Sequence, residues 1–205
     1  MVYTDGSVKT NDTVPLHFKD PRPIQTLASS IVFPSHRGIV NKWTDEHVIA
    51  LRITATNAST QVSGYTMELL PAAIVTQLAE DTQVHLVTDC HSLQTIHQKA
   101  HLATYPGEVY DTSSYPRNGT DNGILLKTIV GHSPNLSLEW IPAHKQDLPS
   151  SKTTINGTGN QIADLIAKGR FTEAHQLVGK LTVIECSLAE ILVSETHHAP
   201  PFRRT

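Results

Sequence analysis

Aromatic residues are scarce, at 5% of the 205 positions, so aliphatic side chains must carry the core. There are two cysteines, Cys90 and Cys186, too few and too far apart for a disulfide framework or a zinc site. No apolar run reaches the roughly 18 residues a membrane-spanning helix needs. No basic segment followed by an apolar stretch opens the chain, so no secretory signal is expected and an intracellular protein is the default expectation. Positive charge is not in excess either: 16 Lys and Arg stand against 19 Asp and Glu, for a net charge of -3. That balance excludes the strongly basic chains that bind nucleic acid by charge alone. It also predicts a weak grip on phosphates, because their neutralisation supplies much of such affinity.

What is present suffices for a folded domain. Hydrophobic residues make up 39% and charged residues 17%, which excludes wholesale disorder. The length suits one domain with additions. Twelve histidines include one pair at i, i+4 spacing, His97 and His101, with no third ligand beside it, so no histidine metal site is expected. Asn-x-Ser/Thr sequons at Asn11, Asn57, Asn118, Asn135 and Asn156 would matter only in a secreted chain.

Apolar and β-branched runs predict strands over residues 2–5, 28–33, 47–55, 84–88 and 136–141. The first ends at Asp5-Gly6, a common turn pair. Helical spacing appears in Met67, Leu70, Ala73, Ile74 and Leu78, and Pro71 is tolerable only in a first turn, so this helix starts near Met67 or Glu68. Further helices are expected over 92–102, 122–132 and 161–169. Residues 8–26, 104–120 and 145–159 read as loops. The segment from Phe171 is expected to hold one or two weaker helices and a frayed end. Three strands in succession suggest an antiparallel meander, and the later alternation suggests parallel crossovers. The expected fold is α/β, a mixed five-stranded sheet with helices on both faces. A catalytic domain over 1–170 and a helical extension over 171–205 are the expected divisions.

Four acidic residues stand out. Asp5 and Asp89 end apolar strands, and Glu68 and Asp164 lie on amphipathic helices. Each has an ordinary explanation. Asp5 suits a turn, Glu68 a helix first turn favoured by the dipole, Asp89 an N-cap, and Asp164 a solvated helix face. Gathered at one site, four carboxylates would repel and resist ionisation. Divalent cations relieve that repulsion, and oxygen-only ligands select Mg²⁺ or Mn²⁺ over zinc. Two such ions roughly 4 Å apart can activate a water and stabilise the leaving oxygen of an in-line displacement at a phosphodiester.

The order of these motifs resembles the type I ribonuclease H family, in the form found as free enzymes and fused to retroelement reverse transcriptases. The resemblance rests on Thr4-Asp5-Gly6-Ser7, on Met67-Glu68-Leu69 with Ala72-Ala73-Ile74, and on Thr88-Asp89. It rests also on Glu139-Trp140-Ile141-Pro142-Ala143-His144 and on Asn160-x-x-Ala163-Asp164. It spans roughly residues 2–170 and implies a ribonuclease H-like fold. It implies that Asp5, Glu68, Asp89 and Asp164 hold two Mg²⁺ or Mn²⁺ ions, and that His144 is a loop histidine assisting water activation or product departure. It implies contacts to an RNA–DNA hybrid from Gly6, Ser7, Asn11 and Asn160, with 2′-hydroxyls marking the RNA strand. A reverse transcriptase or polyprotein is the implied setting.

Several positions depart from the family pattern. Ala143-His144-Lys145 lacks the flanking glycines usual around the histidine, and the stretch from His144 to Asp164 is long. Cys90 and His91 replace polar residues common after the third carboxylate. Gly64 and Thr66 replace polar or basic residues that commonly approach the RNA. These departures keep open the alternative of an inactive ribonuclease H-like module serving a larger polymerase.

Overall fold

The computed structural model describes residues 1–10, 25–35, 40–56, 63–78, 82–103, 122, 125–126, 128–129, 135–142 and 154–188. Their strands are β1 (Val2–Thr10), β2 (Gln25–Pro34), β3 (His47–Thr56), β4 (Val84–Thr88), β5 (Leu136–Trp140) and β6 (Lys180–Ser187). The helices with continuous described spans are α1 (Gly64–Leu78), α2 (His91–Ala103), α3 (Ile155–Ala167) and α4 (Phe171–Leu177). Residues 122, 125, 126, 128 and 129 are helical, as the spacing there predicts. One mixed sheet runs in the order β5-β4-β1-β2-β3-β6. β2 is antiparallel to β1 and β3, while β1–β4, β4–β5 and β3–β6 are parallel.

Alternation along β1 divides the core. Val2 points to the α1 and α2 side, where it packs with Leu69, Leu86, Leu93 and Ile96. Tyr3 points to the α3 side, with Trp43, Ile162 and Ile166. Successive residues of a strand face opposite layers, so Asp5 shares Tyr3's side and Gly6 shares Val2's side.

Three boundaries differ from the sequence reading. β1 does not stop at Asp5-Gly6 but continues to Thr10, paired throughout with β2. α1 begins at Gly64, capped reciprocally: Ser63 Oγ accepts from the Thr66 N–H at 3.1 Å and Thr66 Oγ1 from the Ser63 N–H at 3.2 Å. Pro71 therefore sits inside the helix, and Glu68 in its second turn. α3 begins at Ile155, capped by Thr154, whose side chain accepts from the Gly157 N–H. Gly157 and Gly159 read as loop residues, yet Gly159 is where the helix presses on Tyr3. A Cβ there would lie 2.3 Å from the ring.

The sixth strand is the main correction. Helices were expected beyond Phe171, and α4 is one, but residues 180–187 pair with β3 over eight positions. Leu181 and Val183 pack inward while Thr182 and Ile184 point out, a period-two pattern that defines a half-buried strand. Gly179 lets the chain pass the 3-10 turn Trp43–Asp45 that precedes β3: its N–H bonds to the Trp43 carbonyl at 3.2 Å, and a Cβ would meet the Thr44 carbonyl oxygen at 2.5 Å. Arg52 of β3 fastens the strand, donating to Glu185 at 2.6 Å and to the Ala167 carbonyl at 3.2 Å, with its guanidinium over the Phe171 ring. The sheet thus continues past the expected division at residue 170. Among the described residues, no helix is long and apolar enough to cross a membrane.

Candidate active site

Parallel pairing of β1 with β4 places Thr4 beside Thr88. β4 ends there, and β1 continues on β2 alone. Asp5 and Asp89 are therefore the first residues past the shared ladder, side by side at the carboxyl ends of parallel strands, where open α/β sheets form crevices. Asp89 is held from β5: Trp140 Nε1 donates to its carbonyl at 3.0 Å, and the Ile141 N–H donates to the Thr88 carbonyl at 3.0 Å.

Glu68 arrives from α1, on the other face of the sheet, and crosses over Gly6. A Cβ on Gly6 would lie 2.7 Å from Glu68 Cδ, so the Asp-Gly pair supplies space rather than a turn. The Gly6 N–H donates to Asp5 Oδ1 at 2.8 Å and also holds the Glu68 carboxylate. One oxygen each from Asp5, Glu68 and Asp89 lies within 4.8 Å of the other two.

Asp164 comes from α3. That helix is seated by Ser30 Oγ, which donates to the Ala163 carbonyl at 2.7 Å, and by Trp43 Nε1, which donates to the Ile155 carbonyl at 2.8 Å. Asp164 interacts with the Asp5 side chain but falls outside the tight group of three, and its Oδ1 lies 2.6 Å from Lys168 Nζ. Asn160, one turn earlier, is buried with no partner for its Oδ1.

The electrostatics follow from this crowding. Burial pushes Asp5 well above the ordinary carboxylate range, and the charges of Asp89, Glu68 and Asp164 push it further. Glu68 is raised from 4.5 to about 7, by burial first and then by Asp89, with the Gly6 N–H opposing. Its Oε2 is buried without a partner. Convergent hard oxygens, mutual repulsion and an unsatisfied buried carboxylate oxygen fit a divalent cation. Burial also raises the Cys90 thiol, which makes it a poor nucleophile.

The four carboxylates line one cavity of about 500 Å³, together with Gly6, Ser7 and Asn160. Asn11 and His144 lie outside the described residues. Tyr65, Ser92 and Lys168, which no sequence motif above includes, also line the cavity. Lys168 carried a usable signal, since a lysine four residues after Asp164 falls on the same helical face.

The chain matches the RNase H family model over residues 30–171. The solution structure of the prototype foamy virus RNase H domain is similar at 17% identity and a TM-score of 0.54, covering 86% of this chain and 94% of that one. The native crystal structure of prototype foamy virus protease-reverse transcriptase is similar at 17% identity and a TM-score of 0.54. That match covers 82% of this chain, which spans 20% of the protease-reverse transcriptase. A foamy viral protease-reverse transcriptase in complex with dsDNA matches at 15% identity and a TM-score of 0.51, with 82% and 90% covered. No curated protein matches in sequence. With the family matched over most of its length, and with Asp5 contributed by the strand that precedes the matched region, this chain belongs to the RNase H family.

Proposed function

We propose that the protein is a metal-dependent endonuclease that hydrolyses the RNA strand of RNA–DNA hybrids. The observation that carries this reading is the meeting of Asp5, Glu68 and Asp89 from three separate elements, their oxygens within 4.8 Å and Glu68 Oε2 buried without a partner. Asp5, Glu68, Asp89 and Asp164 would hold two Mg²⁺ or Mn²⁺ ions. Such ions supply Lewis-acid activation of water and charge stabilisation at the phosphodiester.

The remaining work falls to the chain. The Gly6 N–H orients Asp5 and Glu68, and Trp140 orients Asp89. Ser7 and Asn160 line the cavity and would offer polar groups to a bound strand. Gly6 would add a backbone contact, and Asn11 a contact to the RNA. His144 would assist water activation or product departure. The likeness to a foamy virus protease-reverse transcriptase, of which this chain spans a fifth, supports a setting within a reverse transcriptase or polyprotein.

A labelled RNA–DNA hybrid incubated with Mg²⁺ or Mn²⁺ tests the proposal. Wild type should cut the RNA strand to leave 5′-phosphate and 3′-hydroxyl ends, and Asp89→Asn should lose at least about 100-fold in rate, the scale of a lost charge-stabilising group. Equal cleavage by both proteins would overturn the assignment of the reaction to these carboxylates, and none by wild type returns the inactive module as the better reading.

A further inference from the structure

Lys168 is the one cation among the described residues lining the carboxylate cavity. Its Nζ lies 2.6 Å from Asp164 Oδ1, and the two side chains are 38% and 17% exposed. The pair closes α3: Asp164 and the C-cap residue Lys168 are one turn apart, with the acidic residue N-terminal, the favourable order. The helix end fixes the lysine's position. The Lys168 N–H bonds to the Asp164 carbonyl at 3.0 Å, and Gly169 then turns the chain at φ 74, with the Arg170 N–H on the Leu165 carbonyl at 2.8 Å. The neighbouring cations have other partners. Arg170 grips Glu173 with both arms of its guanidinium, and Arg52 holds Glu185 and the Ala167 carbonyl. Asp164 is also the carboxylate that stands apart from the group of three.

We infer that Lys168 is a tethered competitor for the fourth carboxylate, holding Asp164 in the metal-free protein and surrendering it when the last divalent ion binds. This inference rests on the two-ion reading above. An ion that uses Asp164 must displace an ammonium that cannot diffuse away, so the lysine weakens that step and leaves binding at the other three carboxylates nearly unchanged. The displaced ammonium stays in the same cavity, where a substrate phosphate is its natural partner. Lys168 is thus a positioning residue, acting through Asp164.

Mn²⁺ titration of the full chain without nucleic acid, with free ion read by electron paramagnetic resonance, tests the inference. Lys168→Met should tighten the last ion to bind by roughly two- to fivefold, the range of a partly exposed ion pair. Lys168→Arg should remain close to wild type. In an Asp164→Asn background the Lys168→Met effect should vanish, whereas a simple long-range charge effect would persist. Equal affinity in wild type and Lys168→Met overturns the inference while leaving the two-ion reading intact, as does an effect that survives in Asp164→Asn. Absence of any Mn²⁺ binding that depends on Asp5 overturns both.

Discussion

At the scale of single residues, ionisation and folding oppose each other in the carboxylate site. Glu68 carries a folded-state value of about 7 against an ordinary 4.5, so between those limits the native state binds more protons than the unfolded chain. Metal-free stability should therefore fall as pH rises from 4.5 to 7, by an amount on the order of 2–3 kcal/mol for this group. Asp5 is displaced in the same direction. Urea unfolding of wild type and Glu68→Gln across this range checks the sign: the variant should gain on wild type steadily and plateau above pH 7. A gap that does not grow with pH would contradict it. Saturating Mg²⁺ should flatten the wild-type curve, because an ion repays the ionised form. The acidic residues are legible in the sequence through the order of the motifs that carry them, since each alone sits in an ordinary setting. Lys168 is harder to read, because a lysine at the C-terminal cap of a helix is ordinary.

At the scale of elements, α3 shows how a helix can be placed by what it lacks. Gly159 lies against the Tyr3 ring, and the Tyr3 hydroxyl reaches Asn156 at 3.0 Å. Gly159→Ala improves helix propensity by about 1 kcal/mol, yet it inserts a methyl where the ring sits 2.3 Å away. The overpacking should win, lowering stability by about 1–3 kcal/mol in urea unfolding. Because Asp164 rides on the same helix, its interaction with Asp5 should loosen as well, while the Asp164–Lys168 pair, which moves with the helix, should not. A stabilised Gly159→Ala variant would contradict this account of the contact. The same contact explains why the start of α3 was misplaced: Gly157 and Gly159 resemble loop residues until a partner ring requires them. Strand interiors were readable from β-branched runs such as Val48–Ile53. Strand ends were not, since Asp5-Gly6 has turn chemistry but lies within a ladder fixed by eight pairs with β2.

At the scale of the molecule, β6 joins the C-terminal segment to the sheet that carries Asp5. A chain ending at Gly179 loses the burial of Leu181 and Val183 and should be less stable than one ending at Leu188 by about 2–4 kcal/mol. Paired thermal melts of the two chains measure it, with size-exclusion chromatography to detect association through the uncovered edge of β3. Equal melting temperatures would show that β6 is dispensable. The strand escaped the sequence reading because a lone edge strand after two helices has no hairpin or crossover signal to announce it, although its alternation was present. Its pairing also has a consequence for biosynthesis. β3 is made about 130 residues before its outer neighbour is complete. At roughly 5–20 residues per second, that edge waits on the order of ten seconds for its mate. During that interval the nascent chain has one adhesive border that a chaperone, or another nascent chain, can reach first.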